Sequence, residues 1–280
     1  MYINSYHKCA CKITQPPQAP LLIMHVGPMK MATTTVQDAL TKYSETLELD
    51  NYYYLGKVNS EYKDYYWDKP DVYRAFVNTC FVGKVVDTQC DQLRKWVRRH
   101  VERHLNKGHN VLVSAEEMGS VAVSDRGWER LRETFAGFRV RVVVAYRRYH
   151  EWLPSYYRHM FRAHKYHKHM FKHPEDGGAR VPSFGAFLAD PAAHLPAALV
   201  YPVAGGQHIS TRTRDAYAAA GFDVSVWNLH AVSPDAGLVQ DLLCHVIPGA
   251  NRACAAASRP GSGRDMISYT KVKCSQAVCF

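Results

Sequence analysis

The feature that most constrains the fold of this 280-residue chain is an alternation of short apolar runs with longer amphipathic stretches. Runs over 21–26, 110–114, 139–146 and 222–227 predict strands, with a further short strand at 52–55. Helices are predicted at 36–40, 88–106, 128–135, 151–172 and 235–246. Over 88–106, Leu93, Trp96, Val97, Val101 and Leu105 recur at spacings of three and four, and Gly108 ends the pattern. Strands that alternate with helices pair in parallel and need cover on both faces. The expected fold class is therefore α/β, a three-layer parallel sheet flanked by helices, with ligands outside the carboxyl ends of the strands.

Residues 1–19 hold Pro and Gln without apolar periodicity and read as a tail; the domain spans 20–255, and 256–280, with Pro260-Gly261-Ser262-Gly263, reads as a C-terminal loop or tail. No apolar run approaches the roughly 20 residues that cross a bilayer, and the N-terminus lacks the apolar core of a signal peptide, so no membrane segment is expected in this chain. Lys plus Arg number 35 against 25 Asp plus Glu, a formal charge of +10 before the 15 His are counted, which points to an anionic partner. Eight Cys, at 9, 11, 80, 90, 244, 254, 274 and 279, form no CxxC pair. Cys80 with Cys90 and Cys244 with Cys254 are each ten apart, a spacing compatible with small disulfide loops in an oxidising lumen and equally with free buried thiols.

The chemistry concentrates first in the stretch from His25 to Gln37. After a strand come Gly27, Lys30, Ala32 and the hydroxyls of Thr33, Thr34 and Thr35, leading into a helix whose first N–H groups have no partner of their own. That is the composition of a phosphate cradle. The nucleoside-triphosphate motif GxxxxGK[ST] is not satisfied, because Lys30 precedes the Thr run and no Gly-Lys pair exists. A second segment, Val142 to Tyr149, ends a strand in Arg147 and Arg148, and Ser155 follows Arg147 by eight residues. Arg offers a planar fork to phosphate oxygens, and a Ser near the first turn of a helix adds a hydroxyl.

With these two segments the sequence resembles the sulfotransferases that use 3′-phosphoadenosine-5′-phosphosulfate (PAPS), in particular carbohydrate sulfotransferase-like domains. Gly27, Lys30, Thr33, Thr34 and Thr35 match the first signature, a Gly-x-x-Lys-x-Gly-Thr-Thr type loop, while Ala32 stands where Gly is commoner and Met31 where Thr is often seen. Arg147 and Ser155 match the second, the pair that grips the 3′-phosphate. The resemblance implies a P-loop-like sulfotransferase fold and a sulfuryl transfer from PAPS, without metal, to a hydroxyl or amine. It implies that Gly27, Lys30, Ala32, Thr33, Thr34, Thr35, Arg147 and Ser155 bind the nucleotide, and that Lys30 also stabilises the leaving phosphate.

The proton of the acceptor needs a base, and Glu116 and Glu117, just beyond the strand at 110–114, stand where the nucleotide loops gather. The resemblance favours Glu116, with Glu117 in reserve. The expected acceptor is an anionic glycan, drawn to a basic rim that includes Arg158, Arg162, Lys165 and Lys168. His159, His164, His167, His169 and His173 interleave with Arg and Lys; with no carboxylate or Cys among them they read as a basic face, not a metal cluster. An inactive nucleotide-binding relative and a basic nucleic-acid-binding protein are the alternatives, and no nucleic-acid partner is expected, because only charge supports the latter. A Golgi lumen is the expected compartment if a membrane anchor lies outside this chain, and the cytoplasm otherwise.

Overall fold

The apolar run at 21–25 becomes the middle strand of a five-stranded parallel sheet in the computed structural model of the protein, which describes residues 19–56, 76–77, 80–81, 87–119, 123–162, 182–190, 208–233 and 235–259. The strands are β1 (Leu21–His25), β2 (Tyr52–Tyr54), β3 (Asn110–Ser114), β4 (Arg139–Tyr146) and β5 (Asp223–Asn228), ordered β2-β3-β1-β4-β5. His25 lies opposite Ser114 on one side and Val143 on the other, so β4 runs three residues further than β1 toward the carboxyl edge. The expected α/β class is observed. A loop and helix follow directly on the central strand, a P-loop-like placement.

Successive side chains of a strand face opposite ways, and every residue of β1 is buried. Ile23, Leu112 and Val143 pack on one face against Val36 and Leu40 of α1 (Thr33–Lys42), Leu47 of α2 (Ser44–Leu49) and Trp152 of α5 (Tyr149–Arg162). Leu22, Met24, Val111, Val113, Val142 and Val144 pack on the other against Val97 and Val101 of α3 (Asp87–Asn106) and Leu131 of α4 (Asp125–Thr134). Apolar burial of roughly 1.5–3 kcal/mol per large side chain on each face makes the sheet the middle of three layers.

The short helices α6 (Phe184–Ala189) and α2 and the longer α7 (Ile209–Ala219) were not expected from the sequence. α7 has few apolar positions because it satisfies inward hydroxyls instead: Ser210 Oγ donates to the Ala145 carbonyl at 2.7 Å and Thr213 Oγ1 to that of Gly119 at 2.9 Å. The expected helix over 235–246 is α8 (Gly237–Asp241), continued by a wider π-type turn over Leu242–Val246. The helix expected over 151–172 starts at Tyr149; its stretch after Arg162, the His-rich segment from His164 and the residues from Pro260 onward lie outside the described residues.

The loop-like reading from residue 256 is corrected as far as Ala257, because α9 (Asn251–Ala257) continues there. Its cause is remote in sequence. The Asp50 carboxylate accepts from the N–H of Arg252 (2.8 Å) and of Ala253 (2.9 Å), supplying the acceptor that the helix start lacks locally. The Cys244–Cys254 disulfide ties α9 to the π-type turn, and Cys80–Cys90 ties the start of α3 to the segment before it, with Cα separations of 4.7 and 5.1 Å. In a chain-entropy account each closed loop contributes about 3 kcal/mol.

Candidate functional site

Parallel strands end on one edge, and there β1, β3 and β4 deliver their following residues to one place. The loop from Val26 to Ala32 is stitched to both neighbours. Val26 N–H donates to the Val143 carbonyl at 2.9 Å, and Ala115 N–H to that of His25 at 3.0 Å. Gly119 closes the contact from the β3 side: a Cβ there would come within 2.7 Å of Pro28 N and 2.8 Å of Gly27 C, so a residue without a side chain is required. From the β4 side, Trp152 Nε1 donates to the Met29 carbonyl at 2.8 Å.

Within this loop Lys30 (φ 67°) and Ala32 (φ 62°) both adopt left-handed backbone. These conformations turn the chain sharply into α1, and no side chain among the described residues caps the helix start. Its first N–H groups therefore face the carboxyl edge with the positive end of the helix dipole. A left-handed Ala costs about 1–2 kcal/mol, whereas Gly would forfeit about 0.5–1 kcal/mol through its greater freedom when unfolded. Ala32→Gly is thus expected to stabilise the protein by up to about 1 kcal/mol, read as a higher urea midpoint. A lowered midpoint would show that residue 32 is not held in this conformation.

The candidate residues fall into a group around this loop. Gly27 is buried, Thr33 is buried in the first turn of α1, Thr34 is exposed and Thr35 half-buried. Thr33 Oγ1 donates to Glu116 Oε2 at 2.9 Å, joining the base candidate to the loop. Arg147 Nη1 reaches the Lys30 carbonyl at 3.5 Å, and its Nε lies 3.6 Å from Glu151 Oε2. Lys30, Thr33, Glu116 and Arg147 are thereby brought together from three separate segments. Glu117 opens the short 3-10 turn Glu117–Gly119, and its side chain lies outside the described residues.

Ser155, expected near the first turn of its helix, lies beyond that turn. α5 starts at Tyr149, so Ser155 sits in its second turn, one turn beyond Glu151, away from the helix's unpaired N–H groups. Arg158 is exposed further along the same helix, while the side chain of Arg162 and all of Lys165 and Lys168 lie outside the described residues.

Sequence reading passed over His25. Its Nδ1 is 2.9 Å from Ser114 Oγ, its ring is 3% exposed, and its Nε2 has no hydrogen-bond partner among the described residues. That nitrogen lies 3.3 Å from where a Cβ on Gly27 would stand, directly beneath the loop. Burial pushes the imidazole down to about 4, so it is neutral at pH 7. The signal was its position, two residues before Gly27 at the end of a buried strand. Glu151 was passed over too, and only its i, i+4 spacing from Arg147 hinted at it.

An uncapped helix start, a nearby Lys and Arg, and a buried orphan nitrogen beneath the loop fit a bound phosphate group. Among the described residues no group of three or more His, Cys, Asp or Glu side chains is placed to hold a metal. No helix among them is long and apolar enough to cross a membrane.

No family model matches the chain, and no curated protein matches it. Among solved structures it is similar to a chain from a characterisation of the PezAT chromosomal toxin-antitoxin system of Streptococcus pneumoniae, at 14% identity over 76% of this chain and 70% of that one, with a TM-score of 0.35.

Proposed function

We propose that this chain is a PAPS-dependent sulfotransferase that moves a sulfuryl group to a hydroxyl or amine of an acceptor, with a carbohydrate as the acceptor class. The observation that carries the reading is the junction of Lys30, the uncapped start of α1, Arg147 and Glu116 at one sheet edge, with Thr33 hydrogen-bonded to Glu116. Gly27, Lys30, Thr33, Thr34, Thr35, Arg147 and Ser155 match the two signatures of that family, while Met31 and Ala32 depart from the first. PAPS supplies the activated sulfuryl group.

The residues divide the work by charge. The loop from Gly27 to Thr35 and the α1 N–H groups receive the 5′-phosphate side, with Lys30 as the cation. Arg147, aided by Ser155, receives the 3′-phosphate. The acceptor oxygen forms its bond to sulfur as the bond from sulfur to the phosphate oxygen breaks; Glu116 takes the acceptor proton, and Lys30 offsets the charge left on the departing phosphate.

The decisive measurement is binding of 3′-phosphoadenosine-5′-phosphate (PAP) beside adenosine 5′-phosphate, which lacks the 3′-phosphate. A charged hydrogen bond to phosphate is worth about 1.5–3 kcal/mol, so Arg147→Ala is expected to weaken PAP binding roughly ten- to more than a hundredfold. Ser155→Ala has a smaller effect. Adenosine 5′-phosphate binding should change little in either variant. Equal affinity of the unaltered protein for the two nucleotides would refute the reading.

A further inference from the structure

α3 packs on the sheet face opposite the one that α1 and α5 cover, burying Leu93, Val97 and Val101 and turning a basic surface outward. Two of its arginines are neutralised locally. Arg94 pairs with Asp91 and Glu133, while Arg98 Nε donates to Glu102 at 2.6 Å and its Nη1 to the Ala136 carbonyl at 2.6 Å. Lys95, Arg99 and Arg103 differ. They follow one another at i, i+4, all exposed, and Lys107 stands exposed in the turn that closes the helix. Asp91 and Glu102 are the carboxylates of α3 within a turn of this row, and Arg94 and Arg98 engage both, so none of the four cations meets a carboxylate among the described residues. Like charges at i, i+4 repel. The helix dipole accounts for cations near the last turn, Arg103 and Lys107, but gives nothing to Lys95 and Arg99 in mid-helix.

We infer that the row Lys95, Arg99, Arg103 and Lys107 is a docking surface for a sulfated glycan. Successive cations on the helix rise about 6 Å, so Lys95 and Arg103 stand about 12 Å apart along the axis. A single sulfate or phosphate cannot meet cations so spaced, whereas a linear polyanion brings one anionic group to each. The rings beside the row are stacked within the protein: Trp96 on His100 at 5.5 Å between centroids, with 3° between planes, and Tyr53 on His104 at 3.7 Å, with 17°. Contact therefore rests on charge, not on the base stacking that holds single-stranded nucleic acid. The disulfides point the same way. Such bonds persist in oxidising compartments, and the chain carries Cys244–Cys254 and Cys80–Cys90, the second ending in the first turn of α3 itself. The linear polyanions met there are sulfated glycans rather than nucleic acid.

The surface is separate from the site at the carboxyl edge, since neither Lys30 nor Arg147 belongs to it. Binding there needs no nucleotide and no transfer, and it would hold a long glycan on the protein whatever reaction the edge performs.

The test measures binding of fluorescently labelled heparin to the whole protein at about 0.15 M salt. The triple variant Lys95→Ala, Arg99→Ala, Arg103→Ala is compared with Lys42→Ala, Arg214→Ala, Arg252→Ala, which removes the same charge from exposed positions elsewhere. Ala is the best helix former, so the circular dichroism of the first variant should match the parent. Its heparin affinity is expected to fall about tenfold, the summed effect of three exposed ion pairs, with the second variant within about twofold of the parent. Chemically desulfated heparin should bind the parent more weakly than heparin. Equal losses in the two variants, or no loss in the first, would overturn the docking surface, and tighter binding of double-stranded DNA than of heparin would assign the row to nucleic acid instead. PAP binding by the first variant should equal that of the parent, so failure of the row and failure of the proposed nucleotide site are read separately.

Discussion

Replacing Lys30 by Ala is expected to lower kcat by about a hundred- to a thousandfold while the fold is kept. The proposed role of this ammonium group is to offset charge that grows on the phosphate oxygen as the bond to sulfur breaks. Interactions of this kind are strongest in the transition state, and removing one preorganised donor costs about 2.7–4 kcal/mol of the barrier. The backbone is not disturbed by the substitution. Residue 30 sits at φ 67°, and Ala meets the same left-handed penalty as Lys, so the thermal midpoint should hold. Only the half-buried side chain is lost. Single-turnover transfer from PAPS to a glycan acceptor, with the parent and variant at saturating nucleotide, reads the effect directly. A kcat within a few-fold of the parent would remove Lys30 from the chemistry, and the helix start alone would then have to neutralise the leaving group.

Glu116→Gln is expected to lower turnover by about a hundred- to ten-thousandfold, the range that a positioned general base contributes. Gln is the informative replacement because its side-chain carbonyl still accepts the Thr33 hydroxyl, which donates to Glu116 at 2.9 Å. The loop and α1 therefore stay joined, and PAP affinity should match the parent. What is lost is the capacity to take a proton from the acceptor. Acceptor binding should weaken as salt rises in both proteins, since the attraction of an anionic glycan to a basic surface is screened over about 8–10 Å at ordinary ionic strength. Full activity of the variant would move the role to Glu117 or to a His. Preferential sulfation of small phenols over every glycan tested would overturn the acceptor class and leave sulfuryl transfer standing.

The strands were legible where burial on both faces writes itself as an unbroken apolar run. The bounds 110–114 and 139–146 read from sequence match β3 and β4, and α3 starts within one residue of its expected place. α7 was not legible, because its inward residues include Ser210 and Thr213, whose hydroxyls are satisfied by carbonyls of Ala145 and Gly119. A helix that packs by hydrogen bonds leaves no apolar period. α9 was hidden for a different reason: the carboxylate that caps it belongs to Asp50, about two hundred residues earlier.

The same division runs through the candidate site. Local order made the candidate phosphate loop legible, because a strand, a glycine, a Lys and a run of hydroxyls at a helix start are contiguous in the chain. It also made the carboxyl edge the candidate ligand edge, since alternating strands and helices force parallel pairing. Tertiary structure alone decided that Thr33 meets Glu116 and that Arg147 reaches the Lys30 carbonyl, contacts between residues 83 and 117 apart in sequence. It alone buried His25 beneath the loop with one ring nitrogen unpaired among the described residues, and it started the helix two residues early, which puts Ser155 in its second turn. The physical reason is the order of the strands. Placing β1 between β3 and β4 gathers three loops that the chain keeps apart, and no local propensity encodes which strands become neighbours.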